Sequence, residues 1–207
     1  MKNVVLLGPP GAGKGTIAAR LAQDLNLLHL STGEVLRDEA ARGTDLGRMA
    51  RGFMERGELV PDDVILAMVR ERADGRQGVL LDGFPRTLAQ AEGLEEFLPV
   101  HVAVYLALGR DEVVRRLGSR RVCGACGAVY NLVTRPPRTP GRCDRCDGEL
   151  LQRPDDAPAV VARRYEVYER DSAPLVEHYA RRGSLITVDA ARAPEIVASD
   201  VAKVLQQ

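Results

Sequence analysis

The residues with the most specific chemistry are consecutive: Gly8-Pro9-Pro10-Gly11-Ala12-Gly13-Lys14-Gly15-Thr16. Glycines let a backbone turn tightly and aim successive N–H groups inward, which makes a nest for an anion. A helix opening directly after such a loop adds the partial positive charge of its N-terminus. Lys14 brings a mobile point charge that reaches outer phosphates. The stretch therefore predicts a loop in which Gly11, Ala12, Gly13, Lys14, Gly15 and Thr16 hold a polyphosphate. Gly15 stands where the plain form of this loop has Ser or Thr for magnesium, and Thr16 follows it.

A second group is metal-binding by its spacing. Cys123-x2-Cys126 and Cys143-x2-Cys146 are two knuckle pairs separated by sixteen residues, and they hold all four cysteines of the chain. Four thiolates at that spacing match a zinc ribbon. Four protein ligands leave no position for water, so the expected zinc is structural. Arg120, Arg121, Arg142 and Arg145 are expected to offset its negative charge. A redox role would need only one pair. A nucleic-acid ribbon is disfavoured by the few local aromatics and by the balanced charge of the chain.

These groups need elements to hold them. The chain has 207 residues, 45% hydrophobic and 28% charged, which fits one folded domain with an insert and excludes a disordered chain. Lys+Arg and Asp+Glu are both 29, which argues against a nucleic-acid coat. Only Lys2, Lys14 and Lys203 are lysines, so an arginine chosen without context is a solvated surface charge. No apolar run approaches the length of a membrane span. No signal-peptide pattern opens the chain, and clustered cysteines do not make a secreted disulfide framework, so the cytoplasm is expected.

Short apolar runs at residues 3–7, 27–30, 78–81, 100–106 and 185–188 alternate with helical patterns. Five such strands imply a parallel sheet with helices on both faces. The first run feeds the phosphate loop, and Ile17, Leu21 and Leu25 mark the helix after it. Residues 44–63 read as short helices of a small subdomain. Residues 119–156 read as a compact β-rich insert. Residues 158–179 read as a helix broken near Pro174, and 194–205 as a closing helix with Ile196, Val197, Val201 and Val204 inward. Ser31 and Glu34 form a plausible capping box. Asp82 ends a strand, where a carboxylate reaches the ligand crevice and can hold magnesium through water.

The loop, as the form Gly-x-Pro-Gly-x-Gly-Lys-Gly-Thr, resembles that of nucleoside monophosphate kinases, and of adenylate kinases most of all. Four further segments resemble that family in the same order: Ser31-Thr32-Gly33-Glu34-Val35-Leu36-Arg37, Gly57-Glu58-Leu59-Val60-Pro61-Asp62, Leu81-Asp82-Gly83-Phe84-Pro85-Arg86-Thr87 with Gln90, and Leu151-Gln152-Arg153-Pro154-Asp155-Asp156 with Arg164. They span nearly the whole chain. The cysteine pairs make it similar to the long bacterial form with a zinc lid.

The resemblance implies a P-loop NTPase-like α/β fold: a five-stranded parallel sheet flanked by helices, a helical NMP-binding subdomain at 31–60, and a β-rich zinc-binding lid at 119–156. The core would be 1–30, 61–118 and 157–207. The implied reaction is ATP + AMP ⇌ 2 ADP with Mg2+, in adenine nucleotide homeostasis and AMP salvage. ATP would meet the loop and Arg116, Arg120, Val129, Tyr130 and Arg192. AMP would meet Thr32, Arg37, Glu58, Leu59, Val60, Gly83, Phe84, Pro85, Arg86, Gln90, Arg153 and Arg164. Lys14, Arg86, Arg120, Arg153 and Arg164 would carry the transfer, with Asp155 and Asp156 orienting arginines. Asn131 stands where some relatives have a His against the adenine. A monomer is expected, with ATP, AMP and ADP as its ligands and neither nucleic acid nor membrane as partner. The competing readings are a related kinase for another base and a nucleotide-dependent zinc-ribbon module that binds RNA or protein.

Overall fold

The computed structural model describes residues 2–76 and 78–206. Met1, Gln77 and Gln207, all in the expected core segments, lie outside the described residues. In chain order the elements are β1 (Val4–Leu7), α1 (Lys14–Leu25), β2 (Leu28–Ser31), α2 (Thr32–Arg42), α3 (Asp45–Arg56), α4 (Asp62–Ala73), β3 (Val79–Asp82), α5 (Leu88–Glu95), β4 (Val102–Ala107) and α6 (Arg110–Gly118). The insert contributes β5 (Arg120–Cys123), β6 (Val129–Asn131) and β7 (Leu150–Leu151). The chain returns through α7 (Pro158–Val167), α8 (Pro174–Arg181), β8 (Leu185–Asp189) and α9 (Pro194–Leu205).

The five expected strands form one parallel sheet in the order β2-β3-β1-β4-β8. Successive side chains of a strand point to opposite faces. Val5, Leu7, Leu81 and Ala103 accordingly feed one buried cluster, while Val4, Leu6, Leu80, Val104 and Leu106 feed another on the far side. The first is closed by residues of α2, α4, α5 and α8, the second by α1, α6 and α9. Each fully buried Leu contributes about 2 kcal/mol, so the sheet centre is a firm platform. The phosphate loop leaves the carboxyl end of β1, flanked by β3 and β4, where open parallel sheets place their ligands. At β3's end Ser31 pairs in register with Asp82.

Three expectations change, and a fourth, the break near Pro174, gains a definite form. Residues 45–56 form one helix despite Gly47 and Gly52. Gly47 is required by packing: a Cβ there would lie 2.1 Å from the Glu39 carbonyl oxygen, where α2 meets α3. Ser31 does precede α2, but its hydroxyl donates to Asp82 Oδ2 at 3.2 Å instead of capping the helix. In α9 the buried residues are Val197, Ala198, Val201 and Leu205, whereas Ile196 and Val204 are exposed. Between α7 and α8 the break is a π-helical turn, Tyr168–Ser172, with Pro174 opening α8.

In the insert, β6-β5-β7 is a small antiparallel sheet. Its own buried cluster holds Cys123, Tyr130, Cys143 and Leu150, with Ala128 packed against it. None of the helices is long and apolar enough to cross a membrane among the described residues.

Candidate functional site

Gly13 precedes α1 with φ of 90°, a left-handed conformation that glycine adopts without strain and that turns the loop into the helix. Lys14 folds back over this loop. Its ammonium donates to the carbonyls of Gly8 at 2.7 Å and Pro9 at 2.9 Å. Asp82 stands close by, its Oδ2 being 3.2 Å from where a Cβ on residue 15 would sit. Burial pushes Asp82 upward, but the His29 imidazole, Lys14 and the Ser31 hydroxyl outweigh it and hold the carboxyl below its usual range. His29 Nε2 lies 3.9 Å from Oδ2, an electrostatic neighbour beyond hydrogen-bond reach. An ionised carboxylate beside a phosphate loop suits a hydrated magnesium.

Burial lowers the Lys14 ammonium to about 7, with Asp82 opposing and Arg86, Arg164 and Arg120 reinforcing. At pH 8 most of it is therefore neutral. A polyphosphate favours the charged form, so nucleotide binding must draw in a proton above pH 7. Below pH 6 the amine is already charged and the uptake vanishes. Calorimetric titration of ATP in buffers of different ionisation enthalpy should show uptake near pH 8 and little near pH 5.5. Equal, near-zero uptake at both would contradict the placement of Lys14.

Lys14 belongs to a wider group. Arg86, Arg120 and Arg164 act on Lys14 through their fields, and Arg37, Arg86, Arg153 and Arg164 each feel the field of at least one other arginine of the group. Three carboxylates sit among them: Asp82, Asp155 and Asp156. Asp156, whose side chain is wholly buried, takes a bidentate contact from Arg120 and a further bond from Arg164 at 3.2 Å. Arg164 also reaches Asp155 Oδ2 at 3.0 Å. Among the described residues, no carboxylate comes within 4.0 Å of the charged groups of Lys14, Arg37, Arg86 or Arg153. Burial, with neighbouring arginines adding to it, lowers Arg86 and Arg153 to about 10 and lowers Arg37 as well. Several partly buried cations without counter-ions in one place form a receptor for multiple anionic oxygens.

Next to this group lies a cavity lined by Thr32, Arg37, Glu58, Leu59, Val60, Gly83, Arg86, Gln90 and Arg164. Four segments distant in sequence thus meet around one space. Thr32 Oγ1 donates to the Gly83 carbonyl at 2.9 Å, and so does Arg86 Nε at 2.7 Å, which ties the start of α2 to the loop after β3. Two expected contacts change character. Phe84 is fully buried in the core cluster and Pro85 is buried, so their side chains do not line the cavity. Their place in the motif positions Arg86.

On the other side of the loop, Arg116 pairs with Glu112 at 2.6 Å and donates to the Ala191 carbonyl at 3.1 Å. This brings it beside Arg192, which is exposed and paired with Asp200 at 2.9 Å. Val129 is exposed. Tyr130 is 5% exposed and directs its hydroxyl to Cys143 Sγ, so its ring serves the insert and leaves only its backbone for a nucleotide. Asn131 bonds the Arg116 carbonyl at 3.0 Å and accepts from Val133 and Thr134, which fastens the insert to α6.

The four cysteines are unbridged, and their sulfurs lie within 4.8 Å of one another. Tetrahedral zinc with about 2.3 Å bonds separates sulfurs by about 3.8 Å. The Cys123–Cys146 and Cys126–Cys143 pairs stand at 3.5 and 3.6 Å. The Tyr130 hydroxyl and the Arg145 N–H approach Cys143 Sγ at 3.5 and 3.4 Å and favour its thiolate. The donor set fits zinc. Two of the arginines expected to offset its charge are engaged elsewhere, Arg120 by Asp156 and Arg121 by the carbonyls of Gly118 and Arg120, whereas Arg142 and Arg145 line a space with Cys143 and Cys146. Backbone N–H groups of Cys126 and Arg145 also point at Cys123 Sγ and Cys143 Sγ.

Two residues given no role from the sequence also contribute. His29 borders Asp82, and Asp62 is bonded to Gln90. His29 lies outside the motifs, and Asp62 closes one of them without a signal for this contact, because each acts through a neighbour brought in by the sheet or by helix packing.

Comparison with known proteins agrees with this arrangement. The family model described as adenylate kinase matches residues 6–184. An adenylate kinase of Archaeoglobus fulgidus is 43% identical over 99% of this chain and 98% of its own length. That of Thermosipho melanesiensis is 44% identical over 99% and 100%, and that of Moorella thermoacetica 46% identical over 92% of each. With the phosphate loop, the paired cavity and the cysteine insert all within that span, the chain belongs to the adenylate kinase family.

Proposed function

We propose that this cleft moves a phosphoryl group between adenine nucleotides, ATP + AMP ⇌ 2 ADP. The observation that carries the reading is the convergence of Lys14, Arg37, Arg86 and Arg153, without carboxylate partners among the described residues, between the phosphate loop and a separate lined cavity. A single nucleotide needs only one of those two sites.

The loop and Lys14 take the triphosphate, with Arg120 beside them. Thr32, Arg37, Glu58, Leu59, Val60, Gly83 and Gln90 take the monophosphate. Arg86, Arg153 and Arg164 lie where the two phosphate chains meet. An oxygen of the AMP phosphate attacks the terminal phosphorus of ATP, the bond to the bridging oxygen breaks, and ADP leaves. The attacking oxygen is already ionised, so no base is required. The residues position the reactants and neutralise charge spread over the phosphoryl oxygens. Asp82 would hold magnesium beside the loop, and the ion would supply further charge neutralisation on the triphosphate. Cys123, Cys126, Cys143 and Cys146 would hold a zinc ion, which would tie the insert together.

In this reading residues 31–60 and 119–156 close over the acceptor and donor, and the arginines near the insert's return exclude water from the transferring group. The chain acts in the cytoplasm as a monomer. ADP formation should depend on both ATP and AMP, with CMP, UMP and GMP as poorer acceptors. Nucleotide binding without AMP-dependent ADP formation would defeat the proposal.

A further inference from the structure

Gln90 is 2% exposed and lines the acceptor cavity. Its carboxamide is held at both ends. Oε1 accepts from the Arg86 backbone N–H at 2.7 Å, and Nε2 donates to Asp62 Oδ1 at 2.6 Å. Asp62 is held in turn, since Oδ2 accepts from the Thr87 hydroxyl at 2.9 Å, while Thr87 Oγ1 accepts from the Gln90 backbone N–H at 3.0 Å. Asp62 lies in the first turn of α4, yet both its oxygens are spent on α5 and the residue before it.

This network settles which way the amide faces. A carboxylate only accepts and a backbone N–H only donates, so Nε2 must face Asp62 and Oε1 must face Arg86. One N–H on Nε2 and one lone pair on Oε1 stay free. An unrestrained glutamine turns over readily and serves either polarity of base edge. A fixed one does not. A 6-aminopurine presents an acceptor, N1, beside a donor, the 6-amino group. A 6-oxopurine presents the reverse, a donor at N1 beside an acceptor at position 6. For a base held in one orientation by the cavity, the free donor and acceptor of Gln90, in their fixed order, can pair with only one of these two edges.

We propose that Asp62 is a specificity-determining positioning residue: by pinning the polarity of the Gln90 amide it makes the acceptor site select a 6-aminopurine over its 6-oxo counterpart. The inference rests on the cavity being the monophosphate acceptor site. Asp62 touches neither substrate nor reacting atoms and acts through Gln90.

The test compares kcat/KM for AMP and inosine monophosphate, which differ at the 6 position and the N1 proton. Asp62→Ala should shrink the AMP preference about tenfold, as expected for loss of a hydrogen bond to a charged group, while KM for ATP stays unchanged. Asp62→Asn keeps the size and can offer Gln90 either an oxygen or an N–H. It should shift the ratio in the same direction by less, and it decides the matter if the alanine variant fails to fold. Asp63→Ala, exposed in the same helical turn, should leave the ratio alone. In a Gln90→Leu background, Asp62→Ala should no longer alter the preference. If the Asp62 variants lower both substrates by one factor, or leave the ratio unchanged, Asp62 is a structural residue and the proposal is overturned. If the unaltered protein makes no AMP-dependent ADP, the parent reading has failed instead, whatever Asp62 does.

Discussion

Arg86→Met is expected to lower kcat by about a thousandfold, the scale on which a phosphoryl-transfer arginine acts, without lowering Tm. The two halves of that result have one cause. Arg86 is half-buried, its Nε is spent on the Gly83 carbonyl, and among the described residues no carboxylate pairs with its charge. Burial and the Arg164 field already make its charged form costly, as its lowering to about 10 records. Removing the charge relieves repulsion in the free protein and deletes compensation for the phosphates in the loaded one. Arg120→Met offers the contrast. Its guanidinium carries the bidentate contact to Asp156, whose side chain is wholly buried, and losing it strands that carboxylate. That variant should lose both Tm and kcat, because breaking a buried pair costs more than the pair contributes. Thermal melts and saturation kinetics on the two proteins, side by side, make the check. A fall of many degrees for Arg86→Met would assign it to holding the fold and would remove it from the reaction.

The contrast also shows where sequence reading stops. The phosphate loop is legible because its chemistry is local: nine adjacent residues build the nest, and a buried strand and an amphipathic helix flank them. The five strands are legible because parallel strands buried on both faces are continuous apolar runs. Which arginine lacks a partner is a different matter. It depends on Asp155 and Asp156 returning from the insert to α7, and no spacing rule links them to Arg120, more than thirty residues earlier. Ser31 shows the same effect at short range. Its pattern with Glu34 suits a helix cap, but strand pairing brings Asp82 alongside, and the hydroxyl serves the carboxylate. In α9, helical periodicity correctly marks an apolar face, yet Ile196 and Val204 lie just off it, since the exact inward direction is set by where α1 packs. Tyr130 is expected to meet ATP from the resemblance alone, but once the insert is built its ring is part of the wall around the sulfurs.

That wall is the ground for the second large effect: zinc removal, or Cys143→Ser, should lower Tm by on the order of 10 °C, corresponding to roughly 3 kcal/mol in a chain of this size. The insert's buried cluster consists of Cys123, Tyr130, Cys143 and Leu150, so two of its four members are themselves metal ligands. A three-stranded sheet of such short strands buries too little apolar surface to order about forty residues, and structural zinc binding is folding free energy. The rest of the molecule does not share the dependence, because the two sheet clusters contain none of the sulfurs. The loss should therefore be local first. Hydrogen exchange should quicken across 119–156 while β1, β3 and β4 stay protected, and turnover at low temperature should persist, since the metal stands apart from the reacting groups. Tyr130→Phe should fall between the two states: it keeps the ring in the cluster but takes away the hydroxyl that meets Cys143 Sγ and accepts from the Asp144 N–H at 2.8 Å, and it should release zinc to a chelator about ten times faster. An unchanged melting point after complete zinc removal would mean that β5, β6 and β7 hold themselves together, contrary to the smallness of their core.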